Sequence, residues 1–169
     1  MTLQRSNPEP NQTLRNTPYD QLKIGDKATY QRTLTERDLV LFATVSGDYN
    51  PVHLDETFAA GTQFGERIAH GMWTGSLISA ALAMVMPGPG GIYGGQELKF
   101  LRPVKLGDTL TVELEVLEKN ERRKKALIRT DVINQHGKAV VKGTAEVMPA
   151  TEDVCVERAH LPNVIIEGM

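Results

Sequence analysis

The chain has 169 residues, 40% hydrophobic and 24% charged, a composition that fits one soluble domain with a sizeable core and excludes a fibrous or wholly disordered chain. A net charge of -2 and an isoelectric point near 6.1 leave no overall basic field to attract nucleic acid or an anionic membrane, so an anionic substrate would need local cations. The single cysteine, Cys155, excludes an internal disulfide and a multi-cysteine metal site, and it fits a reducing cytoplasm.

Residues 1–18 are polar, carry three prolines and lack the apolar centre of a secretory signal, so they read as a mobile or loosely docked arm. "DKATYQRTL" (26–34) alternates loosely and reads as a strand. Thr35 and Asp38 stand in capping-box-like positions, and Leu39, Phe42, Ala43 and Val45 recur at roughly helical spacing, which predicts a short amphipathic helix stopped at Gly47. Pro51 biases Asn50 toward extended geometry and removes a backbone donor, so residues 48–53 are read as loop. Asp55 offers an N-cap for one more short helix before Gly61.

The run 68–86 is nearly apolar and approaches the length of a membrane span, but it carries His70, Thr74, Ser76 and Ser79 and ends in "PGPGG". A helix buried inside a soluble domain is the more economical reading. Four strand-like runs follow, at 92–101, 109–119, 126–134 and 139–148, the last three joined by the hairpin-like "EKNERRKK" and "NQHGK". One long helix and an antiparallel meander predict an α+β domain in which the sheet wraps the helix. The expected organisation is a polar arm at 1–18, a single domain at 19–149, and a tail at 150–169 that packs on the sheet or on a neighbour.

Two stretches carry candidate chemistry. In "SGDYNPVHLD" (46–55), a proline-directed turn brings Asp48 and His53 together, with Asn50 locking it through side-chain-to-backbone bonds. A carboxylate beside an imidazole suits general acid-base work, although Asp and Asn are also ordinary turn residues. At the start of the apolar helix, His70, Gly71 and Met72 present N–H groups without intrahelical partners, and Gly71 lets a carbonyl oxygen approach the backbone. Gly71, Gly75, Ser79 and Ala83 form a small-residue stripe that suits either a thin acyl chain or close helix-on-sheet packing. Asp48, His53, Asp55 and His70 match no established metal-site spacing, and no metal is expected.

"VSGDYNPVHLDETFA", with "RIAHGM" and "GGIYGGQELKFLRPVKLGDTL", strongly resembles the MaoC-like, (R)-specific enoyl-CoA hydratases, also called hydratase 2. The resemblance covers about 19–149 and leaves the arm and tail outside it. It implies a hot-dog fold and a hydro-lyase that adds water reversibly and syn across a trans-2-enoyl-CoA, giving an (R)-3-hydroxyacyl-CoA. It further implies Asp48 and His53 as the catalytic pair, Asn50 as the residue holding their loop, Gly71 as the backbone donor to the thioester oxygen, and Ser79 and Leu82 in the acyl pocket. Asp48 is the expected base and His53 the expected proton donor. No cofactor is implied, and family dimers join sheets edge to edge, which implies a homodimer or higher oligomer.

CoA phosphates call for cations, and Lys99, Arg102 and Lys105 are the candidates; "RRKK" (122–125) reads as a solvated turn. Two other readings compete with the hydratase: a hot-dog acyl-CoA thioesterase, and a non-catalytic acyl-CoA-binding subunit. The complete acid, amide, proline and histidine signature disfavours both.

Overall fold

The computed structural model describes residues 4–6 and 13–166. In chain order it contains strands β1 (Gln4–Arg5), β2 (Thr13–Arg15) and β3 (Lys27–Thr33), and helices α1 (Glu36–Ser46), α2 (Pro51–Leu54), α3 (Glu56–Ala60) and α4 (Gly71–Met84). Strands β4 (Ile92–Phe100), β5 (Thr109–Asn120), β6 (Lys125–Ile133), β7 (Ala139–Met148) and β8 (Cys155–Glu157) complete it. Six strands form one sheet in the order β1-β3-β5-β6-β7-β4, antiparallel except for β1 beside β3. The expected meander is β5-β6-β7, and β4 joins it through β7, which leaves β4 as an edge.

Alternation decides which face of this sheet is buried. Leu110, Val112, Leu114 and Val116 of β5, Ala126, Ile128 and Val132 of β6, and Val141, Ala145 and Val147 of β7 turn inward. They share one core with Trp73, Leu77, Ile78, Ala81 and Leu82 of α4. The sheet thus wraps the long helix, as the sequence predicts. Burying an aliphatic side chain of this kind contributes about 1.5–3 kcal/mol, and truncating the fully buried Ile78 to alanine would cost about 2–5 kcal/mol. Among the described residues no helix is long and apolar enough to cross a membrane.

The capping box of α1 forms despite the short reach of aspartate. Asp38 N–H donates to Thr35 Oγ1 at 3.2 Å, and Thr35 N–H donates back to Asp38 Oδ2 at 3.0 Å. Arg32 donates to the other carboxylate oxygen at 2.6 Å. Burial opposes ionisation of Asp38, but the bonds from Thr35 and Arg32 outweigh it and hold its pKa below the usual value. Gly47 ends the helix in the left-handed region, φ 73°, with its N–H on the Ala43 carbonyl.

One expectation is corrected here. Residues 48–53 are not loop throughout, because a new helical turn, α2, begins at Pro51. Proline suits a first helical position, where its missing N–H would have had no intrahelical acceptor, and Asn50 caps the turn with its side chain.

The arm expected to be loose falls outside the described residues at 1–3 and 7–12. From Thr13 onward it is held: β2 pairs with β8, Asn16 Nδ2 donates to the Glu152 carbonyl at 2.9 Å, and Val154 N–H donates to Asn16 Oδ1 at 2.8 Å. Thr17 N–H reaches the Pro87 carbonyl at 2.7 Å. Only glycine fits at Gly88 beneath this crossing, since its φ is +94° and a Cβ there would lie 2.9 Å from Asn16 Cα.

Candidate active site

The turn between α1 and α2 is built by its own short side chains. Asn50 N–H donates to Asp48 Oδ1 at 3.2 Å, and Val52 N–H donates to Asn50 Oδ1 at 3.2 Å. The first of these bonds pins one carboxylate oxygen of Asp48 while its side chain stays exposed. One turn on, His53 is buried, with Nδ1 2.8 Å from the Ile68 carbonyl. A carbonyl oxygen can only accept, so Nδ1 carries the hydrogen and Nε2 of the neutral ring keeps a lone pair. Burial is the largest influence on the titration of His53 and lowers it. The Ile68 bond and Asp48 oppose this and His70 reinforces it, leaving the pKa below that of an ordinary histidine.

The segment before α4 is anchored from several directions. Ile68 N–H reaches the Val52 carbonyl at 3.3 Å and Ala69 N–H the Val104 carbonyl at 2.8 Å. Arg67 holds Glu36 of α1 with two bonds, 2.7 and 2.6 Å, and Glu56 of α3 with a third, 2.9 Å. These contacts set His70 at the N-cap of α4 and Gly71 as its first residue. His70 Nε2 lies 3.0 Å from the Asp48 main-chain carbonyl, and its ring stacks on His53 with centroids 3.8 Å apart.

Polar side-chain atoms of Asp48, His53 and His70 lie within 4.8 Å of one another. The rings of the two histidines stack at an interplanar angle of 30°. Asp55, the fourth residue of that sequence cluster, serves as N-cap of α3, accepting from Phe58 N–H at 2.9 Å. The constellation suits proton handling beside a helix end.

The small-residue stripe divides in two. A Cβ on Gly71 would lie 3.2 Å from the Phe100 ring, and one on Gly75 would lie 3.3 Å from Leu98 Cδ1, so these glycines serve close packing against β4. Ser79, Leu82 and Ala83, roughly two to three turns or 12–18 Å along the helix from Gly71, line a cavity of about 50 Å³ closed by Pro87, Tyr93 and Val147. As the first residue of α4, Gly71 has an N–H with no intrahelical acceptor, at the positive end of the helix.

The three candidate cations are not gathered in one place. Lys105 Nζ is 2.5 Å from Glu66 Oε1, and Arg102 donates to the Ala139 carbonyl at 2.5 Å. Lys99 lies between Leu98 and Phe100, whose side chains face α4, so its own side chain faces the outer groove shared with Lys142 and Arg129.

An antiparallel sheet wrapped round a helix, with an acid and an imidazole at the helix start, is a hot-dog fold carrying an acid-base site. Residues 21–137 match the family model described as MaoC like domain, and the chain belongs to that family. It is 43% identical over 129 residues to the 3-hydroxybutyryl-CoA dehydratase of Methylorubrum extorquens, covering 73% of this chain and 82% of that one. It is 42% identical over 130 residues to the (R)-specific enoyl-CoA hydratase of Rhodospirillum rubrum, covering 77% of this chain and 90% of that one. The structure is similar to that of the unliganded R-hydratase PhaJ1 from Pseudomonas aeruginosa, with a TM-score of 0.89 and 58% identity over 92% of this chain and 99% of that one.

Sequence reasoning did not find the role of Arg67 or the contact of His70 with the Asp48 carbonyl. The signal lay in "ERIAHG", where an arginine and a histidine precede a helix start, but their partners are 31 and 22 residues away.

Proposed function

We propose that this protein is an (R)-specific enoyl-CoA hydratase, working reversibly as a 3-hydroxyacyl-CoA dehydratase within residues 19–149. The observation that carries the reading is the approach of Asp48 and His53, with polar atoms within 4.8 Å, beside the helix that Gly71 begins. A trans-2-enoyl thioester whose oxygen meets the Gly71 N–H has its C3 made electrophilic, because charge moves onto that oxygen as water attacks. Asp48 and His53 hold the water, and the acyl chain runs toward Ser79 and Leu82.

The tautomer of His53 favours a division of labour opposite to the one expected from the sequence. Neutral His53 presents a lone pair at Nε2, so it accepts the water's proton as the oxygen bonds to C3. Asp48 orients the water and stabilises the imidazolium. The same Nε2–H then protonates C2 of the enolate, which places both new bonds on one face, as syn addition requires. Water is consumed, (R)-3-hydroxyacyl-CoA forms, and both side chains return to their resting states.

Of the three cations expected from the sequence, Lys105 is the proposed contact for the CoA phosphates, exchanging Glu66 for phosphate, while Lys99 in the outer groove and Arg102 on the Ala139 carbonyl are turned to other partners. Exposed Ile92, Tyr93 and Phe100 on the open edge strand β4 support a homodimer joined through that edge, and light scattering at micromolar concentration should give twice the chain mass. Free Cys155 fits a cytoplasmic setting.

The deciding experiment follows the loss of enoyl-thioester absorbance with crotonyl-CoA and longer 2-enoyl-CoAs and determines the configuration at C3. An (R)-3-hydroxy product is expected. Release of free CoA thiol without hydration would instead mark a thioesterase.

A further inference from the structure

We infer that His70 is a positioning residue for the proton transfer, fixing the main chain of Asp48 and the ring plane of His53 at once. The inference rests on the hydratase reading above and adds to it a residue that touches neither the water nor the thioester.

The geometry leaves the ring little freedom. The Asp48 carbonyl 3.0 Å from Nε2 can only accept, so Nε2 carries the hydrogen and Nδ1 is bare. Nδ1 is buried and has no hydrogen-bond partner, in a residue only 2% exposed. One face of the ring lies on His53 and Phe42 sits beside it, with centroids 3.8 and 5.0 Å away. A site required only for packing would be better filled by phenylalanine, which has no polar atom to leave unmet. Histidine adds one thing that phenylalanine lacks, a donor to the carbonyl of the residue whose side chain holds the water.

Two hydrogen bonds and one stack therefore form a single unit: Ile68 carbonyl to His53, His53 against His70, and His70 to the Asp48 carbonyl. Rotation of His53 about its Ile68 bond is blocked by the His70 ring, and withdrawal of the Asp48 main chain breaks the His70 bond. Proton transfer demands this fixity, since displacement of a catalytic group by an ångström costs about a hundredfold in rate. The titratable groups acting on His53 are Asp48 and His70 themselves, and His70 pushes His53 toward the neutral form.

The test uses the full chain and two variants. His70→Phe keeps the stack and removes the donor; His70→Gln places an amide N–H within reach of the Asp48 carbonyl and removes the stack. Hydration of crotonyl-CoA should fall about tenfold to a hundredfold in kcat for His70→Phe with KM little changed. His70→Gln should recover part of kcat. In both, the titration of His53 followed by nitrogen-15 NMR should move up toward that of an ordinary histidine.

A folded His70→Phe protein with parental kcat and an unmoved His53 titration would overturn the inference. If His70→Phe does not fold, His70→Gln decides, and parental kcat with an unmoved titration there overturns it equally. If the parental protein does not hydrate enoyl-CoA, the hydratase reading fails by itself, and the His53 titration in the variants still decides whether His70 controls that ring.

Discussion

Arg67 and Glu36 meet through two parallel hydrogen bonds, 2.7 and 2.6 Å, and the third guanidinium nitrogen goes to Glu56 at 2.9 Å. One side chain, 15% exposed, thereby fastens α1, α3 and the start of α4 around the turn that bears Asp48 and His53. Glu36 is shifted below the usual carboxylate range chiefly by the Arg67 bonds, with burial opposing them. Arg67→Met should destabilise the fold by about 1–2 kcal/mol, a bidentate pair discounted for the exposed side of Glu36. Thermal melts should show the gap between parent and variant narrowing at high salt, with hydration falling more steeply than stability.

Asp48→Asn keeps an acceptor for the Asn50 N–H and removes the charge, while His53→Ala removes the proton carrier. Each should lower kcat for crotonyl-CoA hydration by about a hundredfold to ten-thousandfold, the usual loss for a general acid-base group. Circular dichroism should show both folded. Near-parental turnover by either would remove that residue from the mechanism.

The pH profile follows from the direction of the His53 shift. In the proposed mechanism the working form is neutral and protonation blocks Nε2, so kcat/KM should be flat at neutral pH and fall as pH drops through the His53 pKa. Burial places that value below the ordinary one of 6.5, so the acid limb should lie below it as well. An acid limb above the ordinary histidine value, or activity that rises as the solution is acidified, would make the protonated ring the working form.

Gly71→Pro deletes the proposed oxyanion donor at a helix position where proline is tolerated. Turnover should fall several hundredfold, about 3–4 kcal/mol of transition-state stabilisation, with the fold retained. Gly71→Ala keeps the N–H but sets a methyl 3.2 to 3.4 Å from three Phe100 ring carbons, so it should lose less and recover when combined with Phe100→Leu. Steady-state kinetics on the three proteins separates the lost donor from the crowding.

What the sequence revealed and what it hid divide by range along the chain. Thr35 with Asp38, Asp55 with Phe58, and the alternation of β5 to β7 are local patterns, and the predicted strands at 92–148 end within one residue of the observed ones. Asp48, Asn50 and His53 stood out because the chemistry and the turn that presents it occupy six positions. The helical turn at Pro51 was missed because proline forbids continuing one helix yet suits beginning another. The contacts of His70 and Arg67, the face chosen by Lys99, and the short strands β2 and β8 depend on partners brought together only by folding.

The ladder between β2 and β8, with Asn16 bridging Glu152 and Val154, ties two short strands from opposite ends of the sequence to each other. Each is too short to keep its shape alone, and each provides the edge the other needs. They pair with each other in a two-stranded ladder of their own, outside the six-stranded sheet. Because Thr17 also holds the Pro87 carbonyl, the crossing that joins the two strands borders the cavity lined by Ser79 and Leu82, at the opposite end of α4 from the acid and the imidazole.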